Sequence, residues 1–545
     1  MNKKFQEKYV LYNIYSDEKG QITVFLALLF LVLLGFSMAV IEGVQSYSAS
    51  YLAEDAVKSA GENIMANYDK ELFKNYHIFF LDPREREYIL SDGKEYINQY
   101  FSGNSFFNIQ CNSIEITEEK AVVEENGLYL KHEIREWMKY REKEKLKGDI
   151  KNIIKSVAGN DADRQQCKKD VAEAERKEQE AVQSSETDKK QESPTGNIEE
   201  EEQEKQETEE QPLSPEIIKE RTTWKEIKEV IQTLTKTGVL FYAVQSPEKL
   251  SKRSISMDNL PSKSRGDILS AGKEELGERI NELSLFNIKE VKNLFSGNIS
   301  VGDNALITKD NYIIPYIEEC FSSYQIGSEK KTEKQQSDKT KGEEDSTGKV
   351  LFYETEYLIN GKSSDLENLK MVANRIMALR FMTNYVLSGK NVRLKAQIDT
   401  MAAAVSGFMG MPQAMKAVQV LIRVALSYGE SLLELHTLLT GGEIPLIKSQ
   451  SNWNLELGTM VSQLKEKKPV KKGKKNISYQ DFLKILLLLK GQSEGLCYRM
   501  MDIMQLNVAY KEPGFLMEKC LFSYKWKADL SVRAVNLNIE RQNNY

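Results

Sequence analysis

One uninterrupted apolar run dominates the pattern of hydrophobic and polar positions along this chain, and it lies near the N-terminus. The stretch from Ile22 to Ile41 is twenty residues long and contains no charged side chain. At about 1.5 Å per residue, a helix of this length covers the ~30 Å hydrocarbon core of a bilayer. A secretory signal is usually shorter and ends at a small-residue cleavage site, which Glu42-Gly43-Val44-Gln45 does not resemble. We therefore predict a retained transmembrane helix over residues 21–42.

Charged residues on the two sides of this helix predict its orientation. Residues 1–20 carry several lysines, whereas the forty residues after the span carry few cations, among them Lys58 and Lys70. Because the side richer in Lys and Arg stays in the cytoplasm, residues 1–20 are predicted to be a cytoplasmic leader. Residues 43–545 are then extracytoplasmic, and the chain is a single-pass protein of the cell membrane.

The helical pattern continues beyond the membrane. No proline occurs between Ile41 and Tyr76, so nothing ends the helix at the bilayer surface, and a helical stalk is predicted. Small residues recur at helical spacing on one face of this stalk, at Ala49, Ala53, Val57 and Gly61. Such a stripe allows close packing, either against the protein's own next domain or against another copy or another protein.

Two polar tracts divide the extracytoplasmic part. Residues 160–212 are rich in Glu, Gln, Lys and Ser and contain no aromatic residue. This tract buries too little apolar surface to offset the entropy of ordering, so we predict an acidic disordered linker. Residues 327–349 are predicted to be a second disordered linker for the same reason.

Residues 43–159 are predicted to hold the stalk and a small α+β region. Within them, residues 112–130 alternate between apolar and polar positions, which predicts a strand and a hairpin. The charged residues 132–157 are then predicted to form a helix. This part of the chain thus combines both kinds of secondary structure in a short length.

Residues 213–326 are predicted to be a mixed α/β region. Ser214 is placed as an N-cap and Pro215 as the first helical residue, and the helix runs to about Thr237. The short apolar run at 238–244 predicts a buried strand, because its length suits a strand better than a helix.

Residues 350–545 are predicted to form a helical bundle. A capping box at Ser364-Asp365-Leu366-Glu367 opens the first helix, a second begins near Pro412, a third opens at Ser478, and a fourth covers 496–510. The predicted fold class is therefore mainly α, with α+β parts. It comprises a transmembrane helix that continues as a stalk, a small mixed extracytoplasmic domain, a C-terminal bundle and two disordered linkers.

Charge and cysteine usage restrict the partners. The 75 basic and 81 acidic residues leave a net charge of −6, which gives no reason to expect nucleic-acid binding. Seven lysines within 465–475 have two open interpretations, a solvated loop or a patch for anionic lipid or wall polymer. The five cysteines are odd in number and far apart, so they predict neither a disulfide framework nor a metal knuckle. A single bridge between Cys497 and Cys520 stays open if this region is exported.

The sequence contains no recognisable catalytic constellation, so we expect no enzyme activity, no metal and no cofactor. The three histidines lie far apart, at His77, His132 and His436. Glu430 and Glu434 are one helical turn apart, and we interpret them as a solvated helix edge. An exported enzyme would require residues such as Glu430, Asp502 and His436 to meet in one cleft.

The order of segments at the N-terminus resembles a known class. A polar leader ends in Glu18-Lys19-Gly20, an apolar span follows, and an alanine-rich helix comes next. This order resembles the TadE/TadG-like, pseudopilin-type membrane proteins of tight-adherence (Flp) pilus systems. Later segments resemble an uncharacterised family of large Gram-positive exported, membrane-anchored proteins; these are residues 71–82, 361–380, 427–453 and 497–507. The resemblance implies a role in the cell envelope, in assembly or anchoring of such a pilus or a related surface machine.

The same resemblance implies protein partners from a pilus or secretion machine, beside the lipid bilayer. Prepilin-type processing cuts after a glycine, which makes Gly20-Gln21 the implied cleavage position. True pilins place a glutamate five residues past the cut, and this chain has Phe25 there. TadG-like proteins commonly lack that glutamate as well, so the departure favours them over a major pilin subunit. The alternative function is a surface adhesin or receptor module that uses the same anchor.

Overall fold

The computed structural model describes residues 3–82, 84, 86–103, 109–141, 165–166, 169–170, 214–265, 312–325, 348–408, 415–490, 494–532 and 535–545. The described helices are α1 (Lys3–Met65), α2 (Lys70–Tyr76), α3 (Arg86–Phe101), α4 (Leu128–Met138), α5 (Pro215–Thr237), α6 (Val239–Ala243), α7 (Pro261–Ser264), α8 (Ile313–Cys320), α9 (Glu354–Asn360), α10 (Asp365–Lys390), α11 (Val392–Phe408), α12 (Met415–Leu439), α13 (Met460–Glu466), α14 (Tyr479–Lys490) and α15 (Glu494–Lys511). The described strands are β1 (Ile109–Ala121), β2 (Ile444–Pro445), β3 (Asn476–Ile477), β4 (Leu521–Val532) and β5 (Val535–Asn544). The chain is mainly α, as its pattern predicts.

The chain divides into two compact units. The first comprises Met1–Glu124 with Glu518–Tyr545, and the second comprises Glu125–Met517. The two predicted linkers, at 160–212 and 327–349, lie almost entirely outside the described residues. The boundaries therefore differ from the predicted ones, since both ends of the chain contribute to one unit.

The first unit is an antiparallel sheet covered by helices. Its strand order is β1-β4-β5, and β4 and β5 are joined as a hairpin that closes at Val532 and Val535. The C-terminal part of α1 packs against β4, β5 and α3, and α3 also packs on β1. Ala53 and Val57 of α1 lie in the same buried cluster as Tyr524 and Trp526 of β4. The two ends of the chain thus share one hydrophobic core.

Two predictions about this region are wrong in part. A strand does form within residues 112–130, but it is not half of a local hairpin, because its partner is β4. The bundle predicted for 350–545 also ends too late, since its last residues form β4 and β5. Buried residues alternate with half-buried ones along β4 from Tyr524 to Val532, so a period of two was present in the sequence.

The second unit is built from helices that pack side by side. Helices α10 and α12 lie along each other, and α11, α6 and α5 pack around them. Arg380 contacts Glu434 while Ser388 contacts Ser427, so α10 and α12 run in opposite directions. The four predicted helices of the bundle are present as α10, α12, α14 and α15; Pro412, the predicted start of the second, lies outside the described residues.

Two helices of this unit begin where their sequence signals predict. Helix α5 begins at Pro215 and ends at Thr237, as predicted. The Ser364 side chain accepts a hydrogen bond from the backbone N–H of Glu367 at 3.3 Å and caps α10. The buried strand predicted at 238–244 is wrong, because these residues form the single helical turn α6. The described residues of 213–326 are helices and loops, so the predicted mixed α/β character is not seen there.

We expect Ala53→Leu to destabilise the first unit by about 1–3 kcal/mol, because extra methyl groups do not fit a filled core. Ala53 is fully buried against the sheet. Thermal unfolding of the full chain in detergent micelles measures the effect. The matched control is Glu54→Leu, one position along on the exposed side of α1, which should change stability by less than about 0.5 kcal/mol. Equal effects of both substitutions would contradict the packing of this stripe on the chain's own sheet.

Candidate functional site

The apolar run of α1 lies on the outside of the structure. Its side chains are largely exposed, for example Leu33 at 54% and Met38 at 71%. The most apolar window of the helix has a mean hydropathy of 2.9, and none of it is buried. Exposed apolar surface costs about 25 cal/mol per Å² in water, so a run of this size favours a lipid environment. The helix is compatible with a single transmembrane span, and Gly20 and Gln21 lie in its backbone just before that run.

The small-residue stripe, farther along the same helix, is buried. Ala49, Ala53, Val57 and Gly61 all face the core of the first unit. The Tyr524 hydroxyl donates to the backbone carbonyl of Gly61 at 3.2 Å, and a Cβ at this glycine would meet the Asn543 side chain at 2.6 Å. Of the two packing partners that the sequence left open, the chain's own sheet covers this stripe.

Four charged side chains form a buried network in the second unit. Arg380 of α10 donates to both carboxylate oxygens of Glu434, at 2.8 and 2.9 Å. Lys448 donates to Glu430 at 2.5 Å and to Glu434 at 2.7 Å. All four side chains are fully buried. The interpretation of Glu430 and Glu434 as a solvated helix edge is therefore wrong, because α12 turns them towards two cations instead of water.

This network also holds an irregular segment against α12. The carboxylate of Glu430 accepts hydrogen bonds from the backbone N–H groups of Asn454, at 3.1 Å, and Leu455, at 2.9 Å. Burial by itself raises the pKa of Glu434, but the charges of Arg380 and Lys448 outweigh burial and hold that pKa well below its usual range. Two acids and two bases make the network neutral. Its hydrogen bonds connect α10, α12 and the segment that carries Lys448 and Leu455, so the network acts as a clamp between them.

A second group of buried carboxylates binds backbone in the same way. Glu354 accepts from the Ser322 N–H at 2.7 Å, and Asp365 accepts from the Tyr353 N–H at 3.0 Å. Glu356 accepts from the Tyr324 N–H at 3.0 Å. All three carboxyl groups are fully buried. Each one therefore replaces water as the partner of a backbone donor. Ser322 and Tyr353 lie outside the helices, and Tyr324 is the first residue of a helical turn, where the N–H has no partner within the helix.

Glu356 is the member of this group with the most altered acidity. Its Oε1 accepts from the Tyr479 hydroxyl at 2.7 Å as well as from Tyr324, while its Oε2 has no hydrogen-bond partner among the described residues. Burial raises the pKa of Glu356 to about 7, against the opposing effect of these hydrogen bonds. The side chain is therefore close to half protonated at neutral pH.

The residues that would have suggested an exported enzyme have separate partners. Glu430 binds Lys448, while Asp502 accepts from the Ser262 N–H at 2.9 Å and from the Tyr357 hydroxyl at 2.7 Å. His436 places Nδ1 at 2.7 Å from the backbone carbonyl of Ala243. The structure therefore gives each of these three side chains its own role in packing. Cys497 and Cys520 are buried thiols, so the bridge that was left open between them is not formed.

The lysine-rich loop 465–475 is partly tied to the fold. Lys467 donates to the Tyr242 carbonyl at 2.6 Å and lies over the ring of the same residue. Lys471 donates to the Trp453 carbonyl at 3.0 Å. Lys468 pairs with Glu466 at the surface. Several lysines thus have intramolecular partners, and binding of anionic lipid or wall polymer by this loop stays a prediction.

Sequence reasoning missed Arg380, Lys448 and Glu356 as members of buried clusters. A signal was present for two of the positions, because Arg380 follows the apolar residues 376–379 and precedes Phe381, and Glu434 lies between Leu433 and Leu435. A charge that is surrounded by apolar residues and becomes buried needs a partner of opposite sign. No local pattern identifies Lys448, which lies in a loop.

Fold and site define a mainly α protein, with one candidate membrane span among the residues that the structure describes. The chain belongs to the family of unknown function DUF5702, whose match covers residues 216–532 and so more than half of the 545 residues. The match begins at the second residue of α5 and ends at the last residue of β4. No protein of the curated set and no solved structure matches the chain.

We expect Lys448→Met to lower the free energy of unfolding by about 3–5 kcal/mol, because it leaves Glu430 as an uncompensated buried charge. Adding Glu430→Gln in the same chain should restore part of the loss, since the remaining Arg380–Glu434 pair is neutral. Urea unfolding followed by tryptophan fluorescence measures both variants. Lys468→Met is the control, because its pair with Glu466 is exposed and contributes little. A loss no larger than that of the control would show that the network is not a clamp.

Stability should fall as the pH rises from about 4.5 to about 7, because over this range folded Glu356 keeps a proton that the unfolded chain has lost. The free energy of unfolding should fall by about 3 kcal/mol over this range and should show no further change from Glu356 at higher pH. Glu356→Gln imitates the protonated form and removes this slope. The measurement is the difference in unfolding free energy between wild type and variant at several pH values; a difference that does not change with pH would refute the assignment.

Proposed function

We propose that this chain is a membrane-anchored, pseudopilin-like structural protein of the bacterial envelope. It acts in assembly or anchoring of a tight-adherence pilus or a related surface machine. The observation that carries the proposal is the continuity of α1, which is one helix from Lys3 to Met65. Its first part exposes the apolar run, and its last part lies in the core of a folded unit.

This continuity supports a structural role for a mechanical reason. A span joined to a domain by a flexible linker transmits little force, because the linker absorbs the movement. Here the same hydrogen-bonded helix passes from the apolar run into a sheet core, so lateral packing of the span against partner helices sets the position of the first unit directly. The order of leader, Gly20, apolar span and alanine-rich helix supports the pseudopilin-like assignment.

The topology supports an extracytoplasmic position for the folded part. The lysines of residues 1–20 favour a cytoplasmic N-terminus, which leaves both folded units on the outer side. There the units are available for protein contacts with other components of the surface machine. The mature N-terminal residue in the membrane fraction refines the proposal: a start at Gln21 supports prepilin-type processing, and a start beyond Glu42 contradicts the anchor.

Deletion of this protein from its native cell should abolish the surface fibres seen by electron microscopy, and expression of the full chain should restore them. A chain with Leu33→Arg should restore them poorly, because an arginine at the centre of a span costs about 2.5–3.5 kcal/mol on insertion. Leu457→Met, in the core of the second unit, serves as the variant that keeps the anchor unchanged. Fibres that persist in the deletion strain would rule out the proposed role.

A further inference from the structure

The exposed apolar face of α1 does not end with the apolar run. Between Gln21 and Glu54 the sequence contains a single charged residue, Glu42. On the outward side, Val44 is 60% exposed, Tyr47 is 77% exposed and Tyr51 is 65% exposed. Their spacing of three and four residues places them on one helical face. This outward face therefore stays uncharged for about two turns beyond the apolar run.

The opposite face of the same turns is already occupied. Burial of α1 in the first unit begins at Ala49 and continues through Ala53. The turns that carry Tyr47 and Tyr51 thus have the sheet core on one side and an unpaired aromatic surface on the other. On the exposed side, charged residues appear again at Glu54, Asp55 and Lys58. The water-facing side of a helix typically carries charged and polar residues.

The position of the two tyrosines follows from the length of the apolar run. Ile22–Ile41 covers the hydrocarbon core, so the outer headgroup layer, about 5–8 Å deep, begins just after Ile41. The backbone of Tyr47 lies roughly 9 Å beyond Ile41 and that of Tyr51 roughly 15 Å beyond it. Helical side chains lean towards the N-terminus, which here is the membrane side, and tilt of the helix shortens both distances along the membrane normal. The intervening polar residues are neutral, namely Gln45, Ser46, Ser48 and Ser50. Tyrosine is enriched at this depth, because its ring is apolar and its hydroxyl is polar.

We infer that the side chains of Tyr47 and Tyr51 lie against the outer headgroup layer of the bilayer, with phospholipid as their partner, and that the first unit lies within about one helical turn of the lipid surface. This inference rests on the proposed membrane anchor and extends it. Ala49 is already part of the core and lies roughly 12 Å beyond Ile41, so little free helix separates the first unit from the lipid. Tilting of the span would then move the first unit as one body.

Site-specific photo-crosslinking in membranes of the native cell tests this arrangement. The full chain carries the photoreactive amino acid p-benzoylphenylalanine in place of Tyr47, of Tyr51, or of a control residue, and the mass of the crosslinked peptide identifies the partner. These positions are exposed, so the substitution leaves the core unchanged. We expect a mass increase of one phospholipid at both tyrosines.

Two controls define the depth. Leu33, in the middle of the apolar run, should also give a lipid adduct. Tyr88 of α3 is exposed and lies far from the span. Tyr100, near the end of α3, contacts Asp55, and Asp92, earlier in α3, contacts Asn63. Helix α3 is therefore antiparallel to α1, and its first residues lie farther from the membrane than its last ones. Tyr88 is therefore roughly 20 Å farther out than Tyr51 and should give no lipid adduct.

The outcomes separate this inference from the proposed anchor. Lipid adducts at Leu33, Tyr47 and Tyr51, with none at Tyr88, support it. A lipid adduct at Leu33 together with a protein adduct or none at both tyrosines overturns the inference and leaves the anchor intact. Absence of a lipid adduct at Leu33 overturns the anchor itself. A lipid adduct at Tyr88 also overturns the inference, because the first unit would then contact lipid elsewhere.

Discussion

A buried carboxylate that accepts a hydrogen bond from a backbone N–H is the interaction on which the second unit depends. Helices satisfy their own backbone groups, but the segments between them do not. Asp365 at the start of α10 supplies acceptors for the chain at Tyr353, and Glu430 of α12 does so for Leu455. An unpaired backbone donor costs about 1–3 kcal/mol when it is buried, so these acids allow irregular segments to enter the core. Each acid exchanges its contact with water for a defined position of a neighbouring segment.

The acids themselves must be neutralised, and the unit does this in two ways. Glu430 and Glu434 stay charged because Arg380 and Lys448 lie against them. Within the described part of the chain no cation pairs with Glu356, and burial raises its pKa to about 7. The first solution requires matched charges in one place, whereas the second makes the side chain sensitive to pH in the neutral range. Both follow from the low dielectric of the interior.

The first unit depends on a different constraint, the length of α1. A helix of 63 residues has no single environment, and each part of it has a separate requirement. The apolar run favours lipid, and the turns from Ala49 onward require an apolar surface, which β4 and β5 provide. Because one continuous helix carries both parts, a bilayer around the apolar run would be mechanically coupled to the folded unit. This continuity supports the structural role that we propose.

By itself the sequence determined the features that depend on neighbouring residues: the apolar run, the starts of α5 and α10 at their capping residues, and the presence of α12, α14 and α15. Only the tertiary structure decided which distant segments meet. The pairing of β1 with β4 joins residues about four hundred positions apart, and no local pattern specifies such a partner. The same holds for Lys448, whose role exists only because a loop places it against α12. Charge compensation and strand pairing act through space, so they become visible only when the chain is folded.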